Sequence, residues 1–431
     1  MALTLLLATV CLEAALAICR MRFQTMRLLL REYGRFALLL LLAAAVAAQW
    51  IHWGIRWYLA GGLLLAWAAI GGVRLIRAAQ QSRRGVAEAV PRYTPGRAIR
   101  RAAGAVLLMA IALTPAFLFP ERPPLESTGP HAVATETRTF TDRSRADPYS
   151  KSGEPRRLTV QFWYPAQAPG RSCPLVVFSH GSFGVRTSNV SLFQELASHG
   201  YVVASIDHTH QCLYTTDEEG RTIWMDPGYV QEVQREDAHT DRQQSFAYYQ
   251  KWMSIRTADL NFVIDTVRSE AENQKDGPCG LTDASKIAVM GHSLGGSAAL
   301  GVGRQRGDVD AVIVLEAPFL CDITGVAEGG FVYVDEPYPV PVLNVYSDSA
   351  WGHLDEWTQY ARNQDLRDNP GGTAETLHLP GAWHLDLTDL SRTSPFFTRM
   401  LNGGQAAQDP DGTLRALNRA CLDFLNLALR R

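Results

Sequence analysis

The 431-residue chain lacks several features that would point to particular kinds of protein. It has no internal repeat and no long low-complexity tract, and no two of its seven cysteines have metal-ligand spacing. Five of the cysteines lie beyond the first 120 residues, an odd number, and we expect no disulfide or one among them. The formal net charge of −2 averages a basic beginning with a more acidic remainder, and therefore identifies no partner.

Long apolar stretches, by contrast, crowd into the first 120 residues, at 2–18, 36–49, 57–73 and 102–119. Each is near the length of about 17 to 25 residues that crosses a bilayer as a helix, and the second is the shortest. Apart from Glu13 they contain almost no ionisable residue, which argues against a transport path. We therefore predict a four-helix transmembrane domain over residues 1–119.

Basic residues in the connecting loops predict the orientation of this domain. Two loops are rich in arginine and carry one glutamate each: Arg20, Arg22, Arg27, Arg31 and Arg35 with Glu32, and Arg74, Arg77, Arg83, Arg84, Arg92, Arg97, Arg100 and Arg101 with Glu88. The loop between them carries only Arg56, and Trp50, Trp53 and Trp57 cluster around it. Because basic loops stay in the cytoplasm, we expect everything after residue 119 to lie on the outer side.

Two other interpretations of this region are weaker. The first stretch could be a cleaved signal peptide, but no basic segment precedes its apolar part and Arg20 follows it. The basic loops could bind nucleic acid, but short arginine-rich loops between apolar spans are far more often topology signals. We therefore expect a multi-pass membrane protein with no nucleic-acid partner.

Residues 120–126 are rich in proline and predict a short, stiff linker to a catalytic domain over 127–431. That domain alternates short apolar segments with helix-compatible stretches, the apolar segments lying at 158–163, 175–179, 201–206, 286–290, 311–315, 342–346 and 376–379. Such alternation predicts a mostly parallel sheet covered by helices on both faces. Three further segments, 209–244, 319–338 and 385–412, are insertions that we expect over the edge of the sheet where ligands bind.

The apolar segment 286–290 runs directly into Gly291-His292-Ser293-Leu294-Gly295. A strand that delivers a serine into a glycine-flanked turn before a helix is the nucleophile elbow of an α/β-hydrolase. Side chains at the flanking glycine positions would collide with the neighbouring strand and helix. Ser293 is therefore the candidate nucleophile.

A serine needs a base and an acid, which follow it along the chain in this fold. We take His384, in the loop after the last predicted strand, as the base; His378 lies within that strand, and His353 is a more distant choice. Two carboxylates end successive strands, Glu316 and Asp348, and either could orient the imidazole.

The oxyanion of an acyl-transfer reaction needs two backbone amides. One is expected from Leu294, which follows the nucleophile, and the other from Ser182 in the loop His180-Gly181-Ser182-Phe183-Gly184. A short cluster, His208, His210 and Cys212, could suggest a metal, but no further ligand stands at suitable spacing, so we expect a structural role, no metal and no cofactor.

Several of these motifs resemble the platelet-activating-factor acetylhydrolase, isoform II type of α/β-hydrolase. They are the stretches 176–181 and 196–204, Arg186-Thr187, Gly291-His292-Ser293-Leu294-Gly295-Gly296, and Gly381-Ala382-Trp383-His384 with Asp389. The resemblance covers about residues 128–390. It implies a triad acid at Glu316, where the family usually has aspartate, and a metal-independent esterase acting on short-acyl or oxidised phospholipids or related esters.

Together these observations predict a membrane-anchored serine hydrolase of carboxylic or lipid esters. Two alternatives stay open at this point: an acyltransferase that uses the same triad with an alcohol as acceptor, and a non-catalytic binding or sensing module with a hydrolase fold.

Overall fold

The computed structural model describes residues 1–22, 29–84, 94–167, 172–273, 277–369 and 373–429. The chain divides into two compact units. One comprises Met1–Pro123 with Thr393–Phe396, and the other Pro124–Arg392 with Phe397–Arg431. The division near Pro123 falls within the segment that the sequence marks as a linker.

In its described residues the first unit has four long helices: α1 Ala2–Arg22, α2 Leu29–Ala47, α3 Ile55–Arg83 and α4 Pro95–Leu118. Three candidate membrane spans lie in α1, α3 and α4, at Ala2–Cys19, Ile55–Gln81 and Pro95–Leu118. Three of the four predicted spans thus correspond to helices that are long and apolar enough to cross a membrane, and α2 is not among them. Helix α2 begins earlier than the apolar stretch suggested, and its first two turns contain Arg31, Glu32 and Arg35.

These charged residues of α2 pair with charges on the neighbouring helices. Arg31 Nη2 lies 2.6 Å from Glu13 Oε2 on α1, and Arg74 Nη1 on α3 lies 2.8 Å from Glu32 Oε1. Glu13, Arg31 and Glu32 are buried, and buried charges are stable only when they are paired. The pairing explains how charged residues can stand in the first turns of α2. Of the residues in the predicted basic loops, Arg27, Glu88 and Arg92 lie outside the described residues.

The second unit is built on an eight-stranded sheet. Its strands, together with those of two small hairpins, are β1 Val133–Ala146, β2 Pro155–Pro165, β3 Cys173–Ser179, β4 Val202–Asp207, β5 Tyr214–Thr216, β6 Thr222–Trp224, β7 Thr282–His292, β8 Ala311–Leu315, β9 Ile323–Ala327, β10 Gly330–Tyr333, β11 Val342–Ser347 and β12 Ala374–Leu379. The order in the large sheet is β1-β2-β4-β3-β7-β8-β11-β12. Strand β2 is antiparallel to both neighbours, and the pairs from β4 to β12 are parallel.

Helices cover both faces of this sheet. From residue 124 onward they are α5 Val190–Ser198, α6 Pro227–Arg235, α7 Arg242–Asn273, α8 Gly277–Leu281, α9 Leu294–Gln305, α10 Asp348–Trp351, α11 Ala361–Asp368, α12 Leu390–Thr393, α13 Pro395–Leu401 and α14 Pro410–Leu429, with 3-10 turns at Leu320–Asp322, Thr358–Tyr360 and His384–Leu387. Consecutive residues of β3 serve opposite faces: Val177 packs with the cluster of α7 and α9, and Val176 with that of α5 and α14. This arrangement confirms the predicted α/β-hydrolase type of sheet.

Strand β1 was not predicted from the sequence. It forms one edge of the sheet, and its pattern of partly exposed positions carries charges at Glu136, Arg138, Arg143 and Arg145 in place of an apolar run. Its register with β2 shifts between Asp142 and Ala146, which marks a bulge. Among the residues that the structure describes, no disulfide joins any two of the cysteines.

Candidate active site

The turn between β7 and α9 holds Ser293 in a strained conformation. Its φ is 53° and its ψ is −129°, a region that residues with a side chain rarely adopt. A Cβ on Gly291 would lie 2.2 Å from the Gly295 carbonyl oxygen, and one on Gly295 would lie 2.1 Å from the carbonyl oxygen of Ser179. Both flanking positions must therefore be glycine for the chain to turn this sharply beside β3.

His384 lies in the 3-10 turn that follows β12, and its ring contacts Glu316. The distance from His384 Nδ1 to Glu316 Oε1 is 2.6 Å. Since a carboxylate only accepts hydrogen bonds, Nδ1 is the donor and Nε2 is left to accept a proton. Glu316 comes directly after β8, is buried, and has a φ of 52° that turns its side chain out of the strand direction.

The second oxygen of Glu316 is also occupied. Oε2 accepts hydrogen bonds from the Ser347 amide at 2.6 Å and from the Ser347 hydroxyl at 2.5 Å. Burial by itself raises the pKa of this carboxyl, but the hydrogen bond and charge of His384 and the two bonds from Ser347 outweigh burial and hold the pKa below its ordinary value. Glu316 is thus an ionised partner for the imidazole.

Asp348, the other candidate acid, serves a different histidine. Its Oδ1 lies 2.7 Å from His378 Nε2, and its Oδ2 accepts from the Gly381 amide at 2.8 Å. It therefore ties β12 to the loop that leads to His384. His353 pairs with Glu356 at 3.0 Å and does not join this group.

Two residues that the sequence did not single out hold His384 in place. The ring of His292 lies 4.6 Å from that of His384, centroid to centroid, and its Nε2 donates to the His384 carbonyl oxygen at 3.1 Å. The His384 amide donates to Ser349 Oγ at 2.8 Å. His292 is recognisable in the sequence only because it precedes Ser293 in the elbow.

The loop after β3 lies against Ser293. A Cβ on Gly181 would come within 3.1 Å of Ser293 Cβ, so this backbone approaches the serine closely. Ser182 follows, with its Oγ 3.4 Å from the Tyr229 hydroxyl, and Phe183 has a φ of 62°. Leu294 is the first residue of α9, where backbone amides have no partner within the helix. The two expected oxyanion donors therefore belong to segments that flank Ser293.

Behind this loop lies a buried chain of hydrogen bonds that the sequence did not reveal. Ser179 Oγ is 2.8 Å from His208 Nε2, and His208 Nδ1 is 3.0 Å from Asp259 Oδ2 on α7. Arg156 completes it, with Nη2 2.7 Å from the same Asp259 oxygen. All four side chains are fully buried, which suits a supporting role and excludes contact with substrate. The signal in the sequence is faint: polar residues at core positions of a strand and a helix.

The described part of the chain contains one group of possible metal ligands, but its members are already engaged. Donor atoms of His180, Asp207 and Cys212 lie within 4.8 Å of one another. Asp207 accepts from both the amide and the side chain of Arg186, and His180 Nδ1 donates to the Gly181 carbonyl at 2.7 Å. Burial raises the pKa of the Cys212 thiol, which keeps it protonated. These partners stabilise the loop and fit a metal poorly.

The insertion at 209–244 is ordered around β5, β6 and α6 and reaches the same loop. The Leu213 amide donates to the Gly184 carbonyl at 3.1 Å. Near this junction several large apolar side chains are exposed, namely Phe183, Leu213, Tyr214 and Trp224. The rings of Tyr214 and Trp224 contact each other at 5.7 Å between centroids, and Phe183 contacts Tyr229 at 6.0 Å. We call Phe183, Leu213, Tyr214 and Trp224 the apolar rim.

Comparison with known proteins finds that this chain is similar to esterases. The family model described as platelet-activating factor acetylhydrolase, isoform II, matches residues 157–430. Among curated proteins, the platelet-activating factor acetylhydrolase of Canis lupus familiaris is 31% identical over 32% of this chain and 33% of its own length. A probable 1-alkyl-2-acetylglycerophosphocholine esterase of Arthroderma benhamiae is 25% identical over 58% of this chain and 54% of its own length.

The chain thus spans about a third of the length of the acetylhydrolases it matches. Among solved structures, a ferulic acid esterase from Streptomyces cinnamoneus superposes with a TM-score of 0.53 and 23% identity, covering 71% of this chain and 92% of that one. At this identity the likeness supports the fold alone, and it agrees with the mostly parallel sheet described above.

The buried histidines predict a loss of stability in mild acid. Burial and the nearby positive charge of Arg256 lower the pKa of His208 to about 4, so the folded protein keeps this ring neutral where the unfolded chain, at about 6.5, is protonated. Titration of His208 therefore leaves the free energy of unfolding unchanged above about pH 6.5 and lowers it as the pH falls from 6.5 towards 4. Between pH 7 and pH 5, the free energy of unfolding should fall about 2 kcal/mol further in the unaltered chain than in His208→Gln.

Urea titration of the full chain in detergent at the two pH values measures this difference. His180 and His292, whose pKa values are also lowered by burial, remain in both proteins and cancel in the comparison. An equal pH dependence in the two proteins would contradict the neutral state of His208.

Proposed function

The chain belongs to the platelet-activating factor acetylhydrolase, isoform II family, and on that premise we propose that it is a membrane-anchored serine hydrolase of carboxylic esters. The observation that carries the proposal is the contact of His384 with the buried, ionised Glu316, beside a serine held in a strained strand-to-helix turn. Family membership supports ester hydrolysis, and the geometry supports the assignment of roles.

In the proposed mechanism, Ser293 Oγ attacks the ester carbonyl carbon while His384 Nε2 takes the hydroxyl proton. Glu316 stabilises the imidazolium, and the amides of Ser182 and Leu294 donate to the oxyanion. Collapse of the intermediate breaks the bond to the alcohol, which leaves with the proton from His384. Water then attacks the acyl-enzyme by the same route, releasing the acid and restoring Ser293.

We further propose that the substrates are lipid esters with short or oxidised acyl chains. The names of the matched relatives refer to platelet-activating factor and to 1-alkyl-2-acetylglycerophosphocholine. The apolar rim supports the same class, since exposed aromatic and aliphatic side chains beside a polar site favour a substrate with a long apolar portion.

The proposed location is a multi-pass membrane protein whose catalytic domain, residues 127–431, lies outside the cytoplasm. Three helices with the length and composition of spans support the anchor. The orientation, and a fourth span in α2 that makes the number of crossings even, rest on the alternation of arginine-rich loops.

Replacing Ser293 tests the nucleophile. In Ser293→Ala, hydrolysis of a short p-nitrophenyl ester should fall by at least about 10⁴-fold, because the attacking oxygen is gone. Labelling by a fluorophosphonate probe should disappear as well. Ser297→Ala, on the next turn of α9, is the matched control and should keep both activities. Labelling that persists in Ser293→Ala would show that another residue is the nucleophile.

The two carboxylates give a second test. Glu316→Gln removes the charge beside His384 and should lower kcat about 10³- to 10⁴-fold with little change in KM. Asp348→Asn alters only the bond to His378 and the Gly381 amide, and its kcat should stay within about tenfold of the unaltered chain. A larger loss in Asp348→Asn than in Glu316→Gln would reassign the acid.

Reporter fusions test the orientation. Alkaline phosphatase joined after residue 429 should be active and a fluorescent protein there dark, because the former needs export and the latter fails to fold after export. Fusions after Arg84, in a predicted cytoplasmic loop, should give the opposite pair of results. Fluorescence at the C-terminus would reverse the proposed topology.

A further inference from the structure

Arg256 is a buried cation that the mechanism above does not use. It lies in the middle of α7 and is fully buried. Its Nη1 donates to the carbonyl oxygen of His180 at 2.5 Å, and its Nε donates to Gln211 Oε1 at 2.8 Å. Both acceptors are neutral, so neither balances the charge of the guanidinium.

Arg156, by contrast, is paired with carboxylates, as a buried guanidinium usually is. It is also fully buried, and it pairs with Asp259 at 2.7 Å and Asp147 at 3.1 Å. Among the residues that the structure describes, no carboxylate lies within 4.0 Å of Arg256, and its Nη2 makes no hydrogen bond. A buried charge without an opposite charge beside it is strongly destabilising, so a function of Arg256 would explain why it is kept.

The nearby histidines do not share the positive charge. Burial, together with the charge of Arg256, lowers the pKa of both His180 and His208, so both rings are neutral near pH 7. Arg256 consequently places a fixed positive charge in contact with the first residue of the loop that follows β3.

The bond to His180 acts on the backbone next to Ser293. A peptide group is planar, so fixing the carbonyl of His180 also fixes the direction of the Gly181 N–H on the other side of the same bond. Gly181 is the residue whose backbone approaches Ser293, and the His180 carbonyl also lies beside α9, 2.5 Å from where a Cβ on Gly295 would be. A shift of this carbonyl would displace Gly181 and Ser182 together.

We propose that Arg256 is a positioning residue for the loop His180 to Gly184, here called the oxyanion loop, and that it acts through its bond to the His180 carbonyl. We propose also that its unbalanced charge adds to the electric field that favours negative charge above Ser293. The inference rests on the proposed function. It assigns to α7 a part in stabilising the transition state. A buried charge can contribute to this because electrostatic interactions are strongest in surroundings of low dielectric constant.

The sharpest test leaves Arg256 in place and removes only the excess charge. Gln211→Glu is nearly isosteric and supplies a carboxylate to Arg256, while the Tyr149 hydroxyl, now 2.9 Å from Gln211 Nε2, can donate to it. With a short p-nitrophenyl ester and full-length protein in detergent, kcat should fall about tenfold, KM should stay within about twofold, and the melting temperature should not decrease. A purely structural role for Arg256 predicts unchanged kcat in this variant.

Replacing the arginine itself tests the positioning. Arg256→Gln should lower kcat and the rate of fluorophosphonate labelling about 10²-fold, and Arg256→Lys should recover about tenfold of that loss by restoring the charge. The matched control is Arg304→Gln, which removes an arginine paired with Asp322 at the far end of α9 and should leave kcat within about twofold.

The inference is overturned if Gln211→Glu keeps its full kcat, or if Arg304→Gln loses as much activity as Arg256→Gln. Failure of the proposed function is visible elsewhere, as undiminished turnover in Ser293→Ala. The two failures are therefore distinct.

Discussion

The structure around the candidate site depends on the closeness of β3, β7 and the first turn of α9. Gly291 and Gly295 leave no space for a methyl group. The Gly295 carbonyl oxygen fills the place beside Gly291, and the carbonyl oxygens of Ser179 and His180 fill the place beside Gly295. This contact forces Ser293 into its strained backbone and sets the start of α9 beside the loop of Gly181. The serine, the helix amides and the oxyanion loop thus share one steric constraint. A backbone conformation such as that of Ser293 costs about 1 to 3 kcal/mol, which the surrounding packing must offset.

Around that constraint, buried polar groups hold the backbone from behind. Helix α7 supplies Asp259 and Arg256 one turn apart, and they reach two consecutive residues at the end of β3, the first through His208 and the second directly. On the other side, His292 and Ser349 hold the backbone of His384. The side chains proposed to react are few, and the groups that orient them are more numerous and better buried.

Local patterns were enough to locate part of this arrangement. Ser293 was predicted as the nucleophile because a strand, a glycine-flanked serine and a helix are contiguous in sequence, and His384 as the base because it follows the last strand. Position along the strands did not distinguish Glu316 from Asp348, since both end neighbouring strands, and only the family resemblance pointed to Glu316. The contact of Glu316 with His384 depends on a positive φ at Glu316 and on hydrogen bonds from Ser347, which no spacing encodes.

The remaining differences have the same physical origin. The chain of Ser179, His208, Asp259 and Arg156 joins four elements distant in sequence, and only the folded sheet brings them together. Strand β1 was missed because an edge strand needs no continuous apolar run. Helix α2 was expected as an apolar span, but tertiary pairing with Glu13 and Arg74 allows charged residues in its first turns.

The edge formed by β1 affects whether neighbouring copies of the protein can pair through their sheets. An unpaired strand edge is a template for pairing with another chain, and the proposed membrane anchor would bring copies together more often than free diffusion in solution. The bulge near Asp142 interrupts the template, and charges such as Arg143 would have to be desolvated or brought together for two edges to pair. The bulge and the charges therefore oppose pairing of this edge with another chain.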